Sequence, residues 1–244
     1  MKNSNIRWTN HTWNPVTGCT QVSPGCDNCY AMVIAEQKRG TVAFPVGFDI
    51  QLRSHKVRDP LKWKKPAMIF VNSMSDLFHR DIPDSYLAEV WQTMLDADWH
   101  TYQILTKRAH LMEARIERLG LEVPSHIWLG VSAENQQMAE SRIPPLLRIP
   151  GGALRWVSAE PLLGALDLSK YLAESNHNSL GWLVVGGESG SNRREMDYDW
   201  ARSLRDQCIN AGVPFFYKQG NAYRSDSDKV LDSRTHDEYP RSID

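Results

Sequence analysis

Apolar and polar positions along the chain repeat as one unit: a short β-rich run, a polar loop, and a segment with helical spacing. The apolar runs predict strands over 68–71, 102–105, 127–131, 154–157, 182–185 and 214–217. Helical spacing predicts helices over 31–38, 83–94 and 111–119, then one that stops near Pro144 and Pro145, and a last one over 197–211. Strands and helices therefore alternate along most of the chain.

This alternation predicts an α/β fold in which right-handed crossovers join parallel strands. Six or seven strand-helix units fit a partial (β/α) barrel better than a doubly wound sheet, because no G-x-G-x-x-G motif follows the first strand. A chain of 244 residues suits one domain of this kind. We expect that domain over 1–220 and a polar, loosely ordered C-terminal tail over 221–244.

Composition narrows the class of protein without indicating a function. Apolar residues make up 41% and charged residues 23% of the chain, as in ordinary soluble globular proteins. A net charge of −1 gives no overall attraction to nucleic acid or membrane, so such binding would need a local patch. No apolar run reaches the length of a membrane span. Three clustered cysteines and one remote cysteine indicate a reducing cytoplasm.

The stretch over 13–30, W-N-P-V-T-G-C-T-Q-V-S-P-G-C-D-N-C-Y, contains three of the four cysteines: Cys19, Cys26 and Cys29. Its glycines and prolines favour a loop over a helix or strand, and three thiols on one loop can converge on a point. The C-x2-C spacing is a usual chelating arrangement, because two thiolates on a tight turn can both face inward. We therefore predict a metal site on this cysteine loop.

Three ligands rather than four leave the identity of the metal open. A closed zinc site takes four protein ligands, and His11, close before the loop, is available as the fourth. A four-iron cluster held by three cysteines keeps one iron free for a small molecule. A third alternative is surface thiols without metal. Cys208 falls on an apolar helical stripe, so we expect it in the core.

Polar residues follow the predicted strands at the level where barrel enzymes carry their active sites. They are Ser73, Asp76, Lys107, Arg108, Ser132, Glu134, Ser158, Glu160, Glu188 and Lys218. Each alone is more simply explained as a helix cap or a surface turn, but so many at one level predict a shared cavity. Lys107, Arg108 and Lys218 are candidate substrate contacts, and the arginine fork suits a carboxylate or a phosphate.

A basic segment over 53–65 is a second candidate binding surface in a chain of near-zero net charge. Within it, Lys62 and Lys64 would hold phosphates while Trp63 stacks on a base, so a nucleic acid or nucleotide is a candidate substrate. The alternative is a solvated basic loop.

Several motifs in order carry a family resemblance: T-W-N-P-V-T-G-C-x6-C-x2-C-Y-A, V-N-S-M-S-D-L-F, Q-I-L-T-K-R, W-L-G-V-S-x-E-N, V-S-x-E-P-L-L-G and V-V-G-G-E-S-G. From Ile6 to Gln219 the chain resembles the phage gene product 37/68 type, a three-cysteine-motif family of phage and bacterial proteins. That family looks like a branch of the radical S-adenosylmethionine (SAM) superfamily. The chain departs from the superfamily pattern in its first cysteine gap, which has six residues where three are usual.

The resemblance implies a partial barrel with a [4Fe–4S] cluster on Cys19, Cys26 and Cys29, whose open iron binds SAM. An electron from a separate reductant would cleave SAM to methionine and a 5′-deoxyadenosyl radical that takes hydrogen from a substrate. Strand-end residues would hold SAM: Ser73, Asp76, Ser132, Glu134, Ser158, Glu160 and Glu188. Of these, Ser132 and Glu134 are favoured for the ribose hydroxyls. The competing interpretation is a zinc-stabilised, non-catalytic phage protein that binds nucleic acid.

Overall fold

Seven parallel strands form one curled sheet, a half barrel, in this computed structural model of the chain. The structure describes residues 4–172, 179–221 and 228–240. In spatial order the strands are β1 (His11–Trp13), β4 (Met68–Val71), β5 (Thr101–Thr106), β6 (Ile127–Ser132), β7 (Arg155–Ala159), β8 (Trp182–Gly186) and β9 (Phe215–Gln219). Two short strands, β2 (Val16–Thr17) and β3 (Gln51–Leu52), pair antiparallel in a separate sheet. The predicted partial (β/α) barrel is confirmed.

Helices flank the sheet: α1 (Tyr30–Gln37), α2 (Ser54–Val57), α3 (Asp84–Asp96), α4 (Ala109–Leu119), α5 (Gln136–Arg148), α6 (Ser169–Leu172) and α7 (Tyr198–Ala211). Their buried faces form the main hydrophobic core with strand residues such as Val71 and Ile104. Cys208 of α7 is fully buried in this core, so its predicted structural position is confirmed.

Helix α5 does not stop at its two prolines, so the predicted end of this helix is wrong; it continues to Arg148. Pro144 and Pro145 each lack the N–H that would donate to the preceding turn. The helix nevertheless continues because Ile143, Pro145 and Leu146 are buried against the core, and packing outweighs local propensity.

Aromatic side chains fill the concave side of the half barrel. Side chains alternate between the two faces of a strand, and those on this face form a second apolar cluster with the N-terminal segment: Trp8, Phe70, Trp156, Trp182 and Phe216. The ring centroid of Trp8 lies 4.6 Å from that of Phe70 and 5.3 Å from that of Trp156. The N-terminal segment therefore covers the open side of the sheet.

The described part of the C-terminal tail, 228–240, packs on the edge strand β9, whereas the sequence predicted loose order. The N–H of Tyr217 donates to the carbonyl of His236 at 2.8 Å, and both Leu231 and His236 are buried. An edge strand leaves backbone groups unpaired, and the tail satisfies two of them, because the N–H of Glu238 also donates to the carbonyl of Phe215 at 3.3 Å. Residues 222–227 and 241–244 of the predicted tail lie outside the described residues.

Candidate functional site

A cavity of about 520 Å³ opens at the carboxyl ends of the parallel strands. Most of the predicted site residues line it: Cys19, Cys26, Cys29, Ser73, Asp76, Lys107, Arg108, Ser132, Ser158, Glu160, Glu188 and Lys218. Apolar side chains of Trp8, Phe70 and Leu105 line it as well. The structure thus brings the cysteine loop and the polar strand ends to one place, which was the arrangement predicted from the sequence.

The cysteine loop is fixed to the rest of the chain at its first cysteine. The N–H of Gly18 donates to the carbonyl of Met74 at 3.0 Å, and the N–H of Cys19 donates to that of Phe48 at 3.1 Å. Gly18 has a φ of +89°, and a Cβ there would lie 2.1 Å from the carbonyl oxygen of Asp49. Only glycine allows this path, so Cys19 has a defined position on the cavity wall.

Arg108 joins the cysteine loop to the strand ends, and its contact with a substrate stays a prediction. Its guanidinium donates to Asp76 at 2.9 Å, to the Thr20 carbonyl at 2.9 Å and to the Cys19 sulfur at 3.4 Å. Asp76 also accepts from the Thr106 hydroxyl at 2.8 Å. Arg108 and Asp76 are both buried. They therefore hold the loop in place, and the contact of Asp76 with SAM stays a prediction.

The partly buried Cys19 thiol and the buried His79 ring set the protonation of this corner. Burial raises the pKa of the Cys19 thiol to about 11, and the charge of Asp76 acts in the same direction. His79 accepts from the N–H of Asp81 at Nδ1, so the neutral ring carries its proton on Nε2, 2.8 Å from the Thr20 hydroxyl. Burial lowers the pKa of His79 and keeps the ring neutral. The sequence offered no signal for His79, because its partner lies on a distant loop.

Glu134 lies beneath the cysteine loop rather than among the described residues that line the cavity, which corrects its predicted contact with ribose. Its carboxylate accepts from the N–H of Gly25 at 3.1 Å and pairs with Arg142 at 2.9 Å. Burial alone raises the pKa of this carboxyl, but the Arg142 guanidinium, the Lys107 charge and hydrogen bonds together outweigh burial and hold the pKa below its usual range. A Cβ on Gly25 would lie 2.9 Å from the Glu134 carboxyl carbon. Glu134 therefore supports the loop just before Cys26.

Arg194 fastens the other end of the cysteine loop to Glu188. Its guanidinium pairs with Glu188 and donates to the Pro24 carbonyl at 2.7 Å and to Asp27 at 3.0 Å. The Asn28 amide donates to Glu188 at 2.9 Å. Glu188 thus has a positioning role on the cavity wall. Sequence reasoning missed Arg194 and Asn28, because neither stands at a strand end and each meets a partner far away in the chain.

The remaining predicted contacts lie on the cavity wall. Glu160 and Lys218 form an ion pair that places one charge of each sign there. Ser73 receives two contacts: its carbonyl accepts from the Tyr30 hydroxyl at 2.6 Å, and its hydroxyl accepts from the Asn14 amide at 3.1 Å. These pairs fix the outline of the cavity next to the cysteine loop.

The basic segment lies at the amino-terminal end of the sheet, opposite the cavity. The Trp63 ring packs on His11, the first residue of β1, and on His100, just before β5, at centroid distances of 5.5 and 6.2 Å. Lys62 pairs with the aspartate three residues before it at 2.8 Å. The structure therefore does not bring Lys62, Trp63 and Lys64 together with the cavity, and the Trp63 ring is packed rather than free to stack on a base. His11 lies there too, away from the cysteines.

The three cysteines are free thiols, each partly buried, and all line the cavity. In the part of the chain that the structure describes, no set of three or more His, Cys, Asp and Glu side chains is gathered around the position of one metal ion.

The fold and the cavity define a partial (β/α) barrel with a cysteine loop at the carboxyl ends of its strands. The chain belongs to the family described as "Protein of unknown function (DUF5131)", whose profile matches residues 3–240. No curated protein and no solved structure matches the chain. None of the helices within the described ranges combines the length and the apolar character that crossing a membrane requires.

Proposed function

We propose that this protein is a radical SAM enzyme that holds one [4Fe–4S] cluster on Cys19, Cys26 and Cys29. One observation carries the proposal: the three thiols line the same cavity as the polar ends of the parallel strands. In barrels of this kind, the carboxyl ends of the strands are where catalytic groups collect. Three thiolates on a four-iron cluster leave one iron open for SAM.

The chain's own residues would position the thiols and SAM. Arg108 contacts the Cys19 sulfur, Glu134 holds the backbone before Cys26, and Arg194 ties the loop to Glu188. Glu160 is a strand-end carboxylate on the cavity wall, and we assign the ribose hydroxyls to it in place of Glu134. Ser73, next to the loop, is the second assigned SAM contact.

When bound, the cluster and SAM supply one-electron reductive cleavage of SAM, which yields methionine and a 5′-deoxyadenosyl radical for hydrogen abstraction. The electron comes from an external reductant, and we place the enzyme in the cytoplasm, where thiols remain reduced. The apolar wall of Trp8, Phe70 and Leu105 restricts water around the reacting groups.

Anaerobic reconstitution with iron and sulfide tests the cluster. We expect about four irons per chain, as a [4Fe–4S] centre requires, and charge-transfer absorption in the visible range. Cys19→Ala, Cys26→Ala and Cys29→Ala should each abolish that absorption. Cys208→Ala is the matched control, because this thiol is buried in the core, and it should leave the absorption unchanged. One zinc per chain and no iron would refute the proposal and support the zinc alternative.

Electron paramagnetic resonance of the reduced cluster tests SAM binding at the open iron. Adding SAM should change the spectrum, and slow release of 5′-deoxyadenosine should follow. Glu160→Gln should weaken the effect of SAM on the spectrum without removing the cluster, because Glu160 is not among the residues that hold the cysteine loop. A spectrum that is indifferent to SAM would remove SAM from the proposal and leave only the cluster.

A further inference from the structure

Three side chains form a row across the carboxyl ends of β5, β6 and β7. Ser132 and Ser158 are register partners on neighbouring parallel strands. Lys107 follows directly after the register pair Thr106 and Val131, which puts it beside Ser132. All three members of the row line the cavity. Neighbouring strands lie about 4.8 Å apart, so the row spans two strand spacings, about 10 Å, along one wall of the cavity.

Lys107 carries a charge that no acid beside it neutralises. The other ions on the cavity wall are paired: Arg108 with Asp76, Lys218 with Glu160, and Glu188 with Arg194. Over 4–172, 179–221 and 228–240, the Lys107 ammonium makes no salt bridge and no hydrogen bond. It exerts an electrostatic effect on Glu134, but Arg142 already pairs with that carboxylate at 2.9 Å. Among the described residues that line the cavity, Lys107 is therefore the charged side chain without an ion-pair partner.

Other polar groups on the same wall also lack partners among the described residues. The Ser132 and Ser158 hydroxyls make no hydrogen bond there, although these residues are only 3% and 1% exposed. Asn72, after β4, is 3% exposed, and its Oδ1 accepts from the N–H of Val16 at 3.4 Å. That bond leaves the Asn72 Nδ2 as a buried donor without an acceptor. Because the Asn72 Nδ2 is fully enclosed, a ligand in the cavity does not reach it. Ser132 and Ser158 line the cavity, so their hydroxyls can donate to the acceptor oxygens of a ligand.

The surface next to the row is apolar. Side chains two residues apart share a face of a strand, so Leu105 precedes Lys107 and Trp156 precedes Ser158 on the concave face. Leu105 lines the cavity together with Phe70 and Trp8. A ligand held at the row would therefore place an apolar or planar body against these side chains.

We propose that Lys107, Ser132 and Ser158 form an oxyanion subsite that holds the carboxylate or phosphate of a small substrate with an apolar body. The subsite deepens the proposed function and rests on it in one respect: the resemblance implies that SAM chelates the open iron through its amino and carboxylate groups, so this oxyanion belongs to the substrate. Lys107 supplies the charge, and the two hydroxyls donate hydrogen bonds to the oxygens. The paired ions elsewhere on the wall leave this row as the place for an anion.

Isothermal titration of the purified full chain with inorganic phosphate, phenyl phosphate and benzoate tests the subsite. We expect one site per chain and tighter binding of phenyl phosphate than of inorganic phosphate, because the ring covers the apolar wall. Comparison of the affinity for benzoate with the affinity for phenyl phosphate shows whether the subsite prefers a carboxylate or a phosphate. Lys107→Met should weaken binding of the preferred anion about tenfold or more, since charge-assisted hydrogen bonds are the strong ones.

Lys62→Met is the matched control, because this lysine is exposed at the opposite end of the sheet, and it should leave the affinity unchanged. The double variant Ser132→Ala/Ser158→Ala should weaken binding about threefold or more, and it tests the row even if Lys107→Met fails to fold. Equal affinity in wild type and both cavity variants, or no binding at millimolar anion, overturns the subsite. So does a Lys107→Met protein that loses iron but keeps its anion affinity, because Lys107 would then serve the thiolates.

The titrations are run before and after reconstitution with iron. A protein that binds anions through the row but takes up no iron keeps the subsite and refutes the radical SAM proposal. A protein that takes up iron and responds to SAM but binds no anion keeps the radical SAM proposal and refutes the subsite. The two failures are therefore distinguishable.

Discussion

Arg142→Met should destabilise the protein strongly and loosen the cysteine loop. The substitution removes the partner of the Glu134 carboxylate, which is fully buried beneath Gly25. Methionine keeps most of the volume of the arginine stem, so the main loss is the charge. A buried carboxylate without its partner must take up a proton or rearrange, and either change alters the support beneath the loop.

The expected loss of stability in Arg142→Met follows from the burial of the ion pair. The side chains of Arg142 and Glu134 are 6% and 0% exposed, and breaking such a buried pair from one side costs about 3–5 kcal/mol. For a domain of this size, 1 kcal/mol corresponds to about 2–4 °C in Tm. Tm should therefore fall by about 6–20 °C. Arg148→Met is the control on the same helix: its pair with Glu113 is 59% and 24% exposed, and its loss should cost less than about 1 kcal/mol.

Urea unfolding followed by circular dichroism measures the free energy of unfolding, and the rate of reaction with a thiol reagent measures exposure of Cys26. Arg142→Met should lower the free energy of unfolding and raise the rate of reaction with the thiol reagent, while Arg148→Met changes neither quantity appreciably. The double variant Glu134→Gln/Arg142→Met should be more stable than Arg142→Met alone, because no charge stays buried. A cost below about 1 kcal/mol for Arg142→Met, or no recovery in the double variant, would show that this pair does not support the loop.

Two further predictions concern stability. Gly18→Ala should lower the free energy of unfolding in urea more than Gly40→Ala does. Both glycines have a positive φ, but a new Cβ at Gly18 would lie 2.1 Å from the carbonyl oxygen of Asp49, whereas a new Cβ at Gly40 has open space. Equal effects of the two substitutions would refute the steric reasoning. Burial lowers the pKa of His100 and of His236, so at mildly acid pH the folded state binds fewer protons than the unfolded state, whose histidines titrate near about 6.5. This contribution to stability is fully present above that pH and is lost as the pH falls through it toward the lower folded pKa. His100→Phe should flatten the fall in stability between pH 7 and pH 5, measured by urea unfolding; an unchanged slope would contradict this account.

The strands and the level of the site could be predicted, because short apolar runs and the residues that follow them are local features of the sequence. What could not be predicted is which polar strand-end residue faces the cavity and which binds another side chain. Glu134 follows β6 just as Lys107 follows β5, yet the first pairs with an arginine on the next helix, whereas the ammonium of the second forms no ion pair among the described residues. Such pairings depend on contacts between elements that are distant in the sequence.

The same limit applies to Trp63. Its basic neighbours predicted a nucleic-acid surface, but the sequence does not show that two histidine rings at the starts of distant strands pack against it. The two prolines predicted the wrong end for α5 for a related reason. The burial that outweighs their helix-breaking effect arises only after the helix packs on the core.

The covering of the concave sheet face has a consequence for the order of folding. The Trp8 ring contacts Trp182, and the hydroxyl of Tyr239 donates to the carbonyl of Arg7 at 2.9 Å, so the two ends of the chain meet. During synthesis, Trp8 leaves the ribosome early and has no site to occupy until the last strands have emerged. Contacts between such distant residues make folding slow, and a nascent chain exposes the aromatic concave surface throughout that time. Protection of this surface by a chaperone would therefore matter most until β9 and the segment over 228–240 have emerged.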